Sequence, residues 1–423
     1  MPIQKKKLDY KWVILVLCVM MNFVCLGFCS SNKGIYLAAI TDALGIKRSL
    51  FAINDSCRFI ASAVVNLFFG TLISKVGIRK MTAVGFVCTT ASVLMYALAE
   101  DVLTFYVGGT LLGIGLAFTT TSMTGTIVRR WFHKDIGKYT GIVFASNGIG
   151  AALASQIASP LINQPGNPFG YRQAYLMVAG IVVVTGIIVV ALLREKPKEN
   201  LHVASAGKRE RRGTDWFGID FATARKKSYL YLAAAVVLIS GVCLQGISSV
   251  YIAHLSDIGM RPEFTAALAS LFALLLTVSK LLVGWMYDRF GISTVMVVCP
   301  IAAVIALVLL AILSATPLGM VLSVVFALLF ALAMPLETLV IPLLVNELFG
   351  SVDYDKMLGI FSAINYAGYA LGAPVANLSY DMFGSYKYAL LICSVFMLLG
   401  CLVFRFVLKE VAQTKMQQQV KEN

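Results

Sequence analysis

Gly284-Trp285-Met286-Tyr287-Asp288-Arg289-Phe290-Gly291 is a short polar turn between two long apolar runs, and it has a counterpart in the first part of the chain. Gly70-Thr71-Leu72-Ile73-Ser74-Lys75-Val76-Gly77 carries glycines at the same spacing, 214 residues earlier. Two further pairs keep nearly that distance. Gly141-Ile142-Val143-Phe144-Ala145-Ser146-Asn147 answers Gly359-Ile360-Phe361-Ser362-Ala363-Ile364-Asn365 at an offset of 218. Phe169-Gly170-Tyr171-Arg172 answers Phe383-Gly384-Ser385-Tyr386-Lys387 at 214. Three matches at nearly one offset, each at the same place within its part, define an internal repeat.

The sequence around these turns is apolar to a degree that only lipid tolerates. Of 423 residues, 59% are hydrophobic and 13% charged, against about a quarter charged in soluble domains. A bilayer span takes roughly 20 mostly apolar residues. That ruler predicts twelve spanning helices, near 12–38, 49–73, 80–99, 102–127, 138–162, 172–193, 229–253, 264–287, 294–314, 318–344, 357–380 and 387–408. The N-terminus is basic (Lys5, Lys6, Lys7) and lacks a small-residue cleavage site, so the first helix reads as an uncleaved span. The net charge of +14 sits in short segments between apolar runs and not on a basic face, which excludes nucleic acid as a partner. With both termini cytoplasmic, five Lys or Arg fall in external loops, three within spans and the other 27 inside, as the positive-inside rule demands. Residues 1–193 and 229–423 thus read as two six-helix bundles joined by a polar cytoplasmic linker, 194–228. Most of the nine cysteines lie inside apolar runs as small hydrophobes, with no metal-site spacing.

At these turns the chain resembles the major facilitator superfamily, whose signature is a Gly-x-x-x-Asp-Arg-x-Gly loop between the second and third helices of each half. The second copy is intact at Gly284, Asp288, Arg289 and Gly291, and the resemblance implies that this loop gates the inward side. The first copy departs, with Ser74 at the acidic position. A narrower resemblance is to the branch of monocarboxylate transporters and oxalate/formate antiporter-like proteins. It rests on Arg130-Trp131-Phe132-His133-Lys134 with Gly137 and Gly141, and on Gly384-Ser385-Tyr386-Lys387-Tyr388. The implied fold is all-α, with a central site between two pseudo-symmetric bundles.

A cation at the centre of a span costs about 2.5–3.5 kcal/mol on insertion scales, so Lys280, Lys33 and Arg58 are the strongest functional candidates. Lys280 lies about two-thirds along the eighth helix, where the resemblance implies a substrate-binding cation. The carboxylate expected one turn earlier is absent, Leu276 and Thr277 standing there. Its competing role is a structural pair with an acid such as Glu337. Lys33 sits in the outer half of the first helix, where monocarboxylate transporters also carry a lysine. Arg58 has Asp55 three residues earlier on the same face, a spacing that suits a local ion pair as well as a substrate clamp. Asn147 and Asn365 form the pseudo-symmetric amide pair. The resembling oxalate/formate branch carries a lysine where Asn365 stands, which favours a monoanion. Tyr369 and Tyr366 offer hydroxyls, and Glu337 and Asp55 are candidate proton carriers.

No catalytic constellation, metal-ligand spacing or phosphate-cradling loop appears, so no cofactor and no enzyme activity are expected. The expected function is secondary transport of a small organic anion, most simply a monocarboxylate, with proton symport or anion exchange, in an inner cell membrane. Two rivals remain: a drug or organic-cation exporter of the same fold, and a transporter-like membrane sensor.

Overall fold

The computed structural model describes residues 10–31, 34–46, 48–132, 134–162, 164, 167–195 and 218–422. Lys33, His133, His202 and the linker interior (196–217) lie outside the described residues. The described chain is almost entirely helical. In the first bundle, α1 is Tyr10–Ser31, continued after two residues by a helix at Gly34–Leu44. Then come α2 (Arg48–Leu67 with Phe69–Val76), α3 (Ile78–Leu98), α4 (Val102–Trp131), α5 (Ile136–Ile162) and α6 (Gly170–Leu192). The second bundle holds α7 (Ser228–Asp257), α8 and α9 within the kinked Pro262–Ile312, α10 (Pro317–Glu337, resuming at Val340–Phe349), α11 (Tyr354–Phe383) and α12 (Lys387–Glu422).

Every segment predicted from hydropathy coincides with helix, but the number of crossings is counted differently. Among the described residues nine helices are long and apolar enough to span, or ten if the bent pair at Phe68 is one span. Two features account for the shortfall against twelve. The α8–α9 connection is so tight that the two run as one helix, turned only at Gly291. And α11 is rich in Gly, Ser, Asn and Tyr, which pack against helices of both bundles.

The repeat glycines have distinct tasks. The last glycine of each copy turns the chain: Gly77 has φ 91° and Gly291 φ 78°, a region open to glycine but not to side chains that carry a Cβ. The first glycine lets the bundles touch. A Cβ on Gly284 would collide with the carbonyl oxygen of Gly137, and one on Gly137 with the carbonyl of Gly284. The first copy repeats this, with Gly70 pressed on the backbone of Lys356 and Gly359 on the carbonyl of Asn66. So α8 meets α5 and α2 meets α11 at backbone distance.

These contacts lie on the face that carries the ends of the chain, here the linker face. Tyr10 at the start of α1 donates its hydroxyl to Leu192 O at the end of α6 and lies with its ring tilted against Trp131 at the end of α4. On this face Asp288 accepts from the backbone N–H of Gly137 (2.9 Å) and Lys138 (2.6 Å), capping α5 from the opposite bundle. Arg289 instead lies over the ring of its neighbour Phe290, 5.8 Å from the centroid. Ser74 spends its hydroxyl on Thr71 O in its own helix (2.9 Å). There the bundles are joined by an Arg130–Asp355 ion pair. On the opposite face α4 begins at Asp101, whose carboxylate caps Thr104 N–H at 3.0 Å and also takes the Thr104 hydroxyl. Those bonds hold the Asp101 carboxyl below the usual carboxylate range.

Close packing of this kind predicts opposite responses to adding a side chain at two glycines. Gly284→Val should cost about 1–3 kcal/mol through overpacking, read as a lower temperature for loss of the monodisperse detergent-purified protein. Gly180 on α6 has open space around its Cβ position, so Gly180→Ala should be neutral or raise that temperature. Equal behaviour of the two variants would refute the backbone contact.

Candidate functional site

Halfway between the two faces, the first helix of each bundle changes its winding. α1 is π-helical from Asn22 to Ser31, and α7 from Gly241 to Gln245. A π-turn inserts an extra residue and re-aims the side chains beyond it, and such turns concentrate at functional sites. In α1 the re-aimed residues are Ser30 and Ser31. The Ser30 hydroxyl accepts from the Arg58 guanidinium of α2. Ser31 Oγ accepts from Asn147 Nδ2 of α5 at 3.4 Å. Asn147 in turn offers its amide oxygen to Lys280 Nζ of α8 at 2.6 Å, and Phe144 O gives that ammonium a second acceptor at 3.1 Å. A polar chain thus runs from one membrane cation to the other: Arg58, Ser30, Ser31, Asn147, Lys280.

The two cations differ in their balance. Arg58 Nε lies 3.2 Å from Asp55 Oδ1, the local pair that the i, i+3 spacing allowed. Lys280 is 4% exposed, and no described carboxylate lies within ion-pair distance; both of its acceptors are uncharged and both belong to the opposite bundle. The sequence-level pairing of Lys280 with Glu337 is not formed. Lys280 reaches α5 because Gly141 and Gly284, one turn away, bring the two helices together.

The wall facing Arg58 is aromatic. Phe59 of α2 packs edge-on against Tyr369 of α11 (5.4 Å between centroids) and near Tyr366 (6.4 Å), and the two tyrosines meet edge to face at 5.5 Å. The amide of Asn365 and the hydroxyl of Tyr369, whose ring stays in the wall, are both directed to α10. Asn365 Nδ2 and the Tyr369 hydroxyl both donate to the main-chain oxygen of Glu337, at 3.0 and 3.2 Å. They thereby satisfy the carbonyl freed where α10 tightens to a 3₁₀ turn at Met334–Glu337. The Glu337 carboxyl is 2% exposed and neither oxygen has a hydrogen-bond partner within normal reach. The Tyr369 hydroxyl and the Gln245 N–H of the π-turn in α7 are its electrostatic neighbours.

The site therefore unites Arg58, Asp55, Asn147 and Lys280 directly, places Tyr369 and Asn365 beside a separate Glu337 centre, and leaves Asp288, Gly284, Gly291 and Arg289 on the linker face. Sequence reasoning missed Ser30 and Ser31. The polar doublet inside an apolar helix was the available signal, but the π-turn that aims it has no residue signature.

Contacts between the bundles extend from the linker face up to this layer, where Gly148 meets Thr277 and Phe59 meets Tyr369. Farther out, α5 and α11 both change from buried to exposed, as at Leu153 (47%) and Val375 (48%). The site is closed toward the linker face and lies at the base of a divergence toward the other.

Two bundles closing on a polar site at mid-depth define a membrane transporter, and the family model of the Major Facilitator Superfamily matches residues 16–345 and 233–422. The chain belongs to that superfamily; it is a multi-pass membrane transporter and not an enzyme. Among similar proteins is the uncharacterized MFS-type transporter YcxA of Bacillus subtilis, 27% identical over 93% of this chain and 94% of its own length. Human monocarboxylate transporter 12 is 22% identical over 74% of this chain, which spans 64% of that protein. The crystal structure of the transporter FucP in its outward conformation superposes with a TM-score of 0.73 over 94% of this chain and 99% of FucP, at 14% identity.

The geometry around Lys280 makes a stability prediction independent of the substrate. Asn147→Leu removes one of two acceptors from a buried ammonium and should destabilise by about 1–3 kcal/mol. Adding Lys280→Met should recover most of that loss, a coupling that a double-mutant cycle of thermal stability reads directly. Strict additivity of the two changes would count against the bond.

Proposed function

We propose that this transporter carries a small organic anion, most simply a monocarboxylate, by alternating access. The observation that carries the reading is the state of Lys280: a buried ammonium between the bundles, held among the described residues by uncharged oxygens alone. Burying an ion without a counter-ion costs several kcal/mol, and a carboxylate is the ligand whose arrival removes that cost. Arg58 is already balanced by Asp55, so the described part of the site carries one net positive charge and suits a monoanion. The likeness to a protein named as a monocarboxylate transporter supports the same class.

In this reading residues 1–193 and 229–423 rock against each other about the site, with 194–228 as the tether. Both termini and the tether are cytoplasmic, and the membrane is the inner cell membrane. Lys33 would add a further cation from α1. An anion arriving from the open side takes Lys280 Nζ from Asn147 and so removes a bond that joins the bundles. Arg58, with Ser30, orients the remainder of the substrate, and Tyr369 and Tyr366 wall it. Gly284, Gly291, Asp288 and Arg289 form the gate below. Proton symport or anion exchange then drives the cycle. Glu337 is the carboxyl placed to carry the proton, because it is shielded from water and from cations and is joined to the substrate wall through Tyr369. Asp55, committed to Arg58, is the secondary candidate.

The test is uptake of labelled formate, lactate, pyruvate and oxalate into proteoliposomes, with and without an imposed pH gradient. Wild type is expected to accumulate one or more monocarboxylates, and Lys280→Gln to lower kcat/KM by about tenfold to a hundredfold, the loss of one charge-assisted bond. Failure of every anion, or undiminished transport by Lys280→Gln, would sink the anion assignment. For the coupling, Glu337→Gln should retain anion exchange and lose the response to the gradient. An unaltered gradient response would move the proton elsewhere.

A further inference from the structure

Below the Lys280–Arg58 layer, α4 is interrupted and restarted. Its outer part ends at Thr119, Thr120 takes φ −124° and ψ −131°, and the inner part runs from Thr121 to Trp131. The restart points an unusually polar stretch into the seam between the bundles. Thr120 and Thr121 face the Tyr366 hydroxyl. Ser122 donates to Asn66 Oδ1 (2.7 Å) and shares a bond with Ser362 of the second bundle (3.0 Å). Thr124 accepts from Asn22 (3.0 Å), and Gly125 backs onto Pro342. Thr126 Oγ1 and Asn22 Oδ1 are fully buried with no hydrogen-bond partner among the described residues. The stretch ends in Arg129 and Arg130, both engaged with the second bundle. Arg129 Nε donates to Asn346 Oδ1 at 2.5 Å and its guanidinium lies 4.2 Å from the Tyr354 ring centroid. Arg130 pairs with Asp355.

A ladder of hydroxyls leading to two guanidiniums is a costly way to fill a permanently closed seam. Two of its polar atoms are unsatisfied, and Arg129 has no described carboxylate within ion-pair distance. An arginine held by an amide oxygen and a ring face keeps most of its capacity for a carboxylate. When the bundles part on the linker face, Asn346, Tyr354 and Asp355 leave with the second bundle, and the inner half of α4 becomes the wall of the opening.

We propose that Arg129, with Arg130 beside it, is a second anion-binding station for small carboxylates, used on the linker-face leg of transport. It rests on the organic-anion reading above. The Thr120–Thr126 hydroxyls join it to the Lys280 layer, and Arg129 receives or delivers the anion at the linker-face mouth. The station is absent from the far-face leg, because Arg129 is then covered by Asn346 and Tyr354.

Sided kinetics on the full chain in proteoliposomes of defined orientation test it, with labelled pyruvate and lactate as probes. Arg129→Gln is expected to raise KM at least tenfold for anion presented on the linker face and to change it less than twofold from the other face. Arg129→Lys should restore part of the loss. Asn346→Leu removes the closed-state contact and leaves the cation, so it should keep linker-face KM near wild type. If Asn346→Leu reproduces the Arg129→Gln effect, Arg129 is only a latch and the station does not exist. Equal KM changes on both faces, or none, overturn it as well. Wild type that moves neither probe nor any other carboxylate would instead bring down the anion reading itself.

Discussion

The bare contact of α5 with α8 is the constraint from which the central geometry follows. Two helices usually stand 8–10 Å apart, held off by side chains. At Gly137 and Gly284 nothing intervenes but backbone. That proximity lets the Asp288 carboxylate of one bundle cap the α5 terminus of the other. One turn farther in, it lets a lysine side chain cross from α8 to the amide of Asn147. A bulkier pair of residues would separate both contacts together. The same contact repeats between α2 and α11 at Gly70 and Gly359, so the bundles meet along two seams related by the repeat.

Charge is handled differently in the two seams. In the α5–α8 seam an acid meets backbone N–H groups and a lysine meets neutral oxygens, so each charge is solvated by dipoles. In the α2–α11 region the loop acid is replaced by Ser74, and the acids are carried by the start of α11 itself. Asp355 takes Arg130 across the interface, while Asp353 takes the Phe221 N–H at the end of the linker. The protein thus closes one seam with helix-end dipoles and the other with an ion pair. Both the charge–dipole cap and the partly buried ion pair are weakened by salt, buried groups less than exposed ones.

Much of this was legible in the sequence, for identifiable reasons. Spans follow from apolar length, and the repeated glycine spacing singled out positions at which the structure turns the chain and brings the bundles into contact. The Arg58–Asp55 pair was visible because it is local. The partner of Lys280 was not: a lysine's reach covers several helices, and the choice between Glu337 on its own bundle and Asn147 on the other depends on how closely α5 approaches. The amide symmetry of Asn147 and Asn365 is one of position and not of partner, since one lies in the cation chain and the other satisfies the broken turn of α10. α11 was read as a span from the sequence although it is less apolar than the other helices, because its polar and small residues pack against helices of both bundles.

The π-turn of α1 carries a consequence for how such a scaffold changes its ligand. An α-helix advances about 100° per residue, so loss of a single residue between Asn22 and Ser31 would rotate everything beyond it by that angle. Ser30 and Ser31 would swing off Arg58 and Asn147, while the helix below, with its packing against α4 and α5, kept its place. One codon gained or lost at this point would exchange the side chains aimed at Arg58 and Asn147 and leave the linker-face contacts in place. The wide turn is a point at which selectivity can diverge among descendants without rebuilding the machine that moves.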